Sequence, residues 1–214
     1  MSLRVDVQQL SKRYPGSERP VLNNFSMALT PGSLNALVGP SGVGKTTLLN
    51  CLSGLDGWQS GSIHLGSHLM NPSDSISSSL FRRQYIGLTF QDPRLLPEFT
   101  VLENVLIPMK LDGDWDEAWG KSLLHEVGCE GLADRFPHQL SGGQASRIGL
   151  ARAMVRKPSL WLLDEPTGNL DPLTADLITS FIQKLHQHLK PTTLIVTHNQ
   201  TLAQVCQHQI SLAG

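Results

Sequence analysis

The sequence predicts an α/β fold whose core is a mostly parallel sheet, and two observations carry that prediction. Four short, largely apolar runs, Leu34–Val38, Tyr85–Phe90, Leu160–Leu163 and Thr193–Val196, lack the alternation of a half-solvated strand. Such runs suit strands covered by helices on both faces, as in a parallel sheet. Each run also leads, at once or nearly so, into a glycine or a polar residue: Gly39, Gln91, Asp164 and His198. Open α/β sheets bind ligands beyond the carboxyl ends of their strands, so these four positions are expected to converge on one crevice.

The other elements follow in chain order. Val5 and Val7 alternate with Arg4 and Asp6, the pattern of a strand with one wet face. It is expected to start a small antiparallel sheet, with Ser62–Leu65 as a second member. Lys45–Ser53 is a helix-forming run, and Asn71–Ser79 reads as a polar loop. Between Asp92 and Gln139 strand signals give way to helical ones broken by Pro, Gly and acidic residues, which predicts an inserted helical subdomain. Ile148, Ala151, Met154 and Val155 mark a further helix. Leu177, Ile178, Phe181, Ile182, Leu185 and Leu189 recur at helical spacing, so Thr174–Leu189 is expected to be a core-facing helix stopped by Pro191. The whole reads as one domain over residues 1–214. Residues 1–91 and 155–214 form the sheet core with its antiparallel β subdomain, and residues 92–154 form the mostly helical subdomain.

Composition narrows the function. The chain has 214 residues, 40% hydrophobic and 16% charged, enough for a sizeable core. A net charge of −1 shows no electrostatic footprint for nucleic acid. Cys51, Cys129 and Cys206 are far apart without metal-ligand spacing, and are expected to be reduced, mostly buried thiols of a cytosolic protein. No apolar run approaches the roughly 20 residues of a membrane helix, and the N-terminus lacks a signal peptide's apolar region. A cytoplasmic chain is expected, with any membrane role exerted through a partner. His125, His138, His186 and His188 are expected on helical or loop surfaces. Asp112–Glu117 is either a docking element or a solvated turn, and the turn is the expectation.

The chemistry is concentrated in three motifs. Gly39-Pro40-Ser41-Gly42-Val43-Gly44-Lys45-Thr46 fits the phosphate-loop pattern G-x-x-x-x-G-K-[ST] and sits between a buried strand and a helix, the context it requires. Its backbone amides and the helix dipole favour a polyanion, Lys45 is placed to reach β- and γ-phosphates, and the Thr46 hydroxyl to ligate Mg²⁺. Asp164 and Glu165 end an apolar strand in a region expected to be poorly solvated. Buried carboxylates are rare unless paired or bound to metal. Phosphoryl transfer needs one acid on the metal and another group to orient or deprotonate the attacking water. Between these motifs, Leu140-Ser141-Gly142-Gly143-Gln144 opens a helix with a serine cap and no bulky side chains, itself an anion-binding terminus.

With L-S-G-G-Q between a phosphate loop and an acidic strand, the chain resembles the ATP-binding cassette (ABC) ATPases, the motor subunits of ABC transporters. The resemblance runs from Tyr14 to His198 with the motifs in order, and implies the P-loop NTPase, RecA-like core of that family. It implies Asp164 as the metal-side acid and Glu165 as general base. Gln91, ending Y-I-G-L-T-F-Q, resembles the glutamine that contacts Mg²⁺ and the attacking water. His198, ending T-L-I-V-T-H, resembles the histidine that holds that water in line. Tyr14, 25 residues before Gly39, matches an aromatic that stacks on adenine. Thr47 joins the phosphate-loop residues around the nucleotide. Gly168-Asn169-Leu170-Asp171 matches a loop that crosses the dimer interface, with Asp171 its acid.

The resemblance further implies that Ser141, Gly142, Gly143 and Gln144 face the γ-phosphate held by a second copy, sandwiching ATP in a head-to-tail homodimer. Ala145 and Ser146 depart from the Gln, Glu or Arg common there in the family, while Arg147 and Arg152 return to pattern. The expected activity is ATP hydrolysis that drives a separate membrane permease from the cytoplasmic face of the cell membrane, with no direct substrate contact. E-P-T-G-N-L-D, L-L-P-E-F-T-V-L-E-N-V and the short tail are similar to the bacterial lipoprotein-releasing, macrolide-efflux and cell-division branch. An importer subunit for a small solute and a non-transport cassette remain open, as does a degenerate regulatory module, against which the intact Lys45, Glu165, Ser141 and His198 argue.

Overall fold

A computed structural model describes residues 2–168 and 170–212. Along the chain run β1 (Val5–Lys12), β2 (Leu22–Leu29), β3 (Leu34–Val38), α1 (Lys45–Leu52), β4 (Ser60–Leu65), β5 (His68–Leu69), α2 (Ser75–Tyr85) and β6 (Ile86–Leu88). There follow α3 (Val101–Lys110), α4 (Glu117–Glu126), α5 (Gly142–Met154), β7 (Leu160–Asp164), α6 (Pro172–Leu189), β8 (Thr192–Val196), α7 (Gln200–Gln204) and β9 (His208–Ser211). They build two sheets. One is antiparallel, ordered β2-β1-β4-β5; the other is parallel, ordered β6-β7-β8-β3-β9.

The parallel sheet is covered on both faces, which is why its strands read as unbroken apolar runs. In β7, Trp161 and Leu163 join a core shared with α3, α4, α5 and α6, while Leu160 and Leu162 join another shared with α1 and the antiparallel sheet. In β8, Ile195 goes to the first core and Leu194 and Val196 to the second. Successive side chains of a strand point to opposite faces, so a strand between two cores has no wet face on which to place polar residues. Burying each of these aliphatic side chains stabilises the fold by roughly 1.5–3 kcal/mol.

The four anticipated parallel strands are present, with altered limits and a fifth partner. β7 extends to Asp164, β8 begins at Thr192, and β9 adds an outer edge beside β3. The Tyr85–Phe90 run forms a strand only over Ile86–Leu88. Tyr85 ends α2, and Thr89, just past β6, still donates its N–H to the Leu162 carbonyl at 3.0 Å.

Other expectations are corrected. The polar loop Asn71–Ser79 is largely helical, since α2 begins at Ser75. Asp74 caps that helix by accepting from Ser77 N at 2.9 Å, and Ser78 and Phe81 supply its buried side. Serine's preference for turns is overridden here by one cap and one buried aromatic. α6 starts at Pro172 rather than Thr174, because Asp171 caps it with bonds from Thr174 N at 3.1 Å and Thr174 Oγ1 at 2.6 Å. Leu177 is 42% exposed and leaves the apolar stripe expected of that helix. His186 is buried rather than on the surface, its Nδ1 3.1 Å from Thr193 Oγ1, and burial lowers its pKa.

Asp112 is no mere solvated turn residue. It pairs with Arg83 of α2 at 2.6 Å and with Arg156 beyond α5, so the end of α3 is tied to both. Asp116 in the same segment caps α4 by accepting from Trp119 N at 2.8 Å. Ahead of α3, Asn104 accepts from Leu96 N and donates to the carbonyls of Leu96, Phe99 and Thr100, which holds the loop after Gln91 in one shape. Cys51, Cys129 and Cys206 are free and buried, and burial raises all three pKa values, Cys51 to about 12 and Cys206 to about 11.

Leu163 tests the doubly covered sheet. It is fully buried in β7, one residue before Asp164. Leu163→Ala is expected to destabilise the chain by about 2–5 kcal/mol, the cost of a cavity between packed layers. Urea unfolding followed by circular dichroism measures it, and a loss below about 1 kcal/mol would contradict this packing.

Candidate functional site

The site begins with backbone. β3 ends at Val38, and the loop to α1 carries Gly42 at φ 77° and Gly44 at φ 108°, a left-handed backbone that side chains rarely adopt. A Cβ at Gly44 would lie 2.8 Å from Val21 Cγ1 and 2.9 Å from the Val21 carbonyl oxygen. Glycine is therefore required by both conformation and space. With α1 starting at Lys45, the loop presents its amides and the helix N-terminus to one point.

A cleft of about 690 Å³ opens over this loop. Of the residues anticipated at the site, Tyr14, Ser41, Gly42, Gly44, Lys45, Thr46, Thr47, Gln91, Asp164, Glu165 and His198 line it. They come from the ends of β1, β3, β6, β7 and β8, so the strand-end argument is realised in space. Gly39 and Pro40 contribute from behind: their carbonyls both accept from Lys45 Nζ at 2.8 Å. The Val43 amide lies within the loop turn, 3.4 Å from the Pro40 carbonyl oxygen.

The two acids have different surroundings. Asp164 is 5% exposed. Its N–H donates to Thr89 Oγ1 at 2.9 Å, and Thr46 Oγ1 donates to its Oδ2 at 3.0 Å. Burial raises its pKa, opposed by the Thr46 bond and the charge of Lys45. Glu165 takes a left-handed φ of 47°, which turns the chain sharply at the strand end. Its Oε2 accepts from His198 N at 3.2 Å. Its Oε1 lies 3.3 Å from His198 Nε2, out of line for a hydrogen bond, and is buried without a partner. Burial raises the Glu165 pKa, opposed by the bond and charge of His198. His198 Nε2 is also 3.4 Å from Lys45 Nζ.

Other anticipated residues stand apart from this cleft. Ser141 caps α5 through a reciprocal pair, accepting from Gln144 N at 3.2 Å and donating its own N–H to Gln144 Oε1 at 2.9 Å. Gly142 and Gly143 form the first turn of α5. Asp171 serves the α6 cap, while Asn169 lies outside the described residues. Within one chain, none of the L-S-G-G-Q residues lines the cleft over the phosphate loop, although Gly142 shares a neighbouring hollow with Gln91. Sequence reasoning missed Val21 and Val196, which also line the cleft, and the Thr89 hydroxyl that accepts from Asp164 N; Gly168, expected in a loop at the dimer interface, lines the cleft of its own chain. Val21 precedes β2, a strand the sequence reading passed over, so nothing flagged it.

The comparisons agree with this geometry. A family profile described as ABC transporter matches residues 22–168. The lipoprotein-releasing system ATP-binding protein LolD 1 of Rhodopirellula baltica is 40% identical over 211 residues, 96% of this chain and 92% of that protein. The LolD protein of Myxococcus xanthus is 40% identical over 202 residues, 93% of this chain and 90% of that protein. Among solved structures, the dimeric post-hydrolysis state of the ATP-binding cassette MJ0796 with ADP and Pi superposes with a TM-score of 0.91 at 31% identity, covering 97% of this chain and 93% of that one. The chain belongs to the ABC transporter family, as an ATP-binding and ATP-hydrolysing cassette.

Proposed function

We propose that this cassette powers a separate membrane permease of the lipoprotein-releasing type, working as a head-to-tail pair of copies that closes on two ATP molecules. The observation that carries the reading is the meeting of Lys45, Thr46, Gln91, Asp164, Glu165 and His198 around one cleft above the phosphate loop. The branch is supported by the names of its relatives, which are lipoprotein-releasing ATP-binding proteins. The pairing is supported by the dimeric state of the MJ0796 cassette and by the L-S-G-G-Q terminus, which does not line the cleft of its own chain. Among the described residues no helix is long and apolar enough to cross a membrane. Attachment through a permease at the cytoplasmic face of the cell membrane suits that.

In this reading Tyr14 stacks on adenine, and Gly39, Pro40, Ser41, Gly42, Val43, Gly44, Lys45, Thr46 and Thr47 cradle the phosphates. Lys45 exchanges the Gly39 and Pro40 carbonyls for β- and γ-phosphate oxygens. The Thr46 hydroxyl and the Asp164 carboxylate, 3.0 Å apart, would hold a divalent cation together with the Gln91 side chain. Mg²⁺ there supplies positive charge against the phosphates and relieves the cost of an ionised, buried Asp164. Glu165 takes the proton of the attacking water on its unpartnered Oε1, and His198 orients that water and the γ-phosphate. Ser141, Gly142, Gly143, Gln144 and Asp171 complete the other copy's site. Residues 92–154 act as the helical subdomain that carries this signature.

The partner is tested by retrieving tagged Glu165→Gln protein from membranes in mild detergent with ATP and Mg²⁺. Mass spectrometry is expected to find a permease with few membrane helices and a large extracytoplasmic domain. A compact permease with a solute-binding protein would instead make the chain an importer subunit.

Two further outcomes test the roles. Glu165→Gln is expected to bind ATP and form a stable dimer while losing hydrolysis by at least about 100-fold, the range of a general base. Wild-type turnover in that variant would remove the general-base assignment. The second outcome is thermal. A folded-state pKa above the unfolded one favours folding at low pH, and that contribution fades as pH rises through the folded pKa. Ionised Glu165 therefore weakens the nucleotide-free fold at neutral pH. The melting temperature of Glu165→Gln should exceed that of the wild type near pH 7.5, with the gap closing toward pH 4. An unchanging gap would show that Glu165 titrates as an ordinary surface acid.

A further inference from the structure

The ring of Tyr14 is held from outside its own loop. Its hydroxyl donates to Asp56 Oδ2 at 2.7 Å and lies 3.4 Å from Thr47 Oγ1. The other Asp56 oxygen accepts from Lys12 Nζ at 2.6 Å, and the same ammonium donates to the Gly57 carbonyl at 2.6 Å. Lys12 is only 7% exposed, and a lysine is seldom so buried without a partner. Removing one member of such a pair strands the other, so the pair stays together. Burial raises the Asp56 pKa, but the bonds from Lys12 and Tyr14 and the charge of Lys12 outweigh it and leave the pKa below the ordinary value.

The same ammonium lies 4.7 Å from the centroid of the Tyr14 ring, within cation–π range. One face of the ring is covered by a cation, which leaves the other for stacking. Lys12 ends β1, Thr47 lies in α1, and Asp56 lies four residues beyond the end of α1. The helix that begins at the phosphate loop is thereby tied, through Thr47 and the nearby Asp56, to a ring that lines the same cleft.

We propose that Asp56, held in place by Lys12, is a positioning residue for the nucleotide base: through the phenol hydroxyl it fixes the stacking face of Tyr14 at a set place relative to the phosphate loop. This rests on the reading of Tyr14 as the base-stacking residue. A stacking ring needs no hydroxyl for its π-face; the hydroxyl serves to immobilise it. A side chain already ordered before binding saves the cost of ordering it on association.

The test compares the Kd of ATP with that of inorganic tripolyphosphate, both with Mg²⁺, by isothermal titration calorimetry on Tyr14→Phe, Asp56→Asn, their double variant and Tyr14→Ala. Tyr14→Phe leaves the Lys12–Asp56 pair intact, so it probes the hydroxyl without disturbing the fold. Tyr14→Phe and Asp56→Asn are each expected to weaken ATP about five- to tenfold, within the cost of ordering one freed side chain on association. The double variant should be no weaker than the worse single one, and tripolyphosphate affinity should not change. Tyr14→Ala should weaken ATP further. Additive losses, no loss in Tyr14→Phe, or an equal loss for tripolyphosphate would overturn the positioning role while leaving stacking intact. Unchanged ATP affinity in Tyr14→Ala would instead overturn the stacking reading.

Discussion

Asp164 is the last residue of a strand whose five residues are all buried, so its charge must be sustained by groups from elsewhere in the chain. A lone carboxylate in such a place would take up a proton. Two other segments meet there: α1, from which Thr46 donates to its side chain and Lys45 adds positive charge, and the stretch beyond β6, where Thr89 accepts from its N–H. The next residue turns away at once. Glu165 at φ 47° costs about 1 kcal/mol or more in backbone strain. The turn places its carboxylate beside His198, 3.2 Å from that residue's N–H, while Asp164 keeps to Thr46. One sharp turn at a strand end thus gives two adjacent acids separate company, which is what two different roles require.

That arrangement depends on the sheet being unable to shift. Trp161 and Leu163 lock β7 into one core, and Leu160 and Leu162 into the other. A slip by one residue would exchange the two sets and drive each into the wrong layer. The register of β7 against β8 pairs Asp164 with Val196, two residues before His198. The separation of Glu165 from His198 is therefore set by core packing as much as by the site itself.

What was legible in the sequence follows from how locally each feature is determined. The phosphate loop, Asp164 and Glu165 are adjacent residues at strand ends, and short-range spacing suffices to place them. The doubly buried strands were visible because two cores suppress polar alternation. α2 was hidden because its signal is one aspartate cap and one phenylalanine among serines. His186 was misplaced because its burial depends on Thr193 of the neighbouring strand β8. Leu177 had helical spacing yet points to solvent, since periodicity marks a stripe but not how far the opposing layer reaches. Lys12 and Asp56 lie 44 positions apart, and neither carries a motif, so their pairing emerges only from the fold.

The cap of α5 shows why a serine suits the proposed second nucleotide contact. Ser141 and Gln144 already satisfy one another, with the Ser141 hydroxyl accepting from Gln144 N. An aspartate would cap the helix as well, but it would set a negative charge against a γ-phosphate. A hydroxyl accepts from its own helix and still has a proton to donate outward. The amides of Gly142 and Gly143 belong to the first turn, where no carbonyl of the same helix can reach them. The hydroxyl, these two amides and the side-chain amide of Gln144 are then four donors at a helix terminus whose dipole also favours an anion. None of these residues lines the cleft over the same chain's phosphate loop. A terminus so equipped, outside the lining of its own chain's cleft, suits the proposed contact with a phosphate held by a second copy.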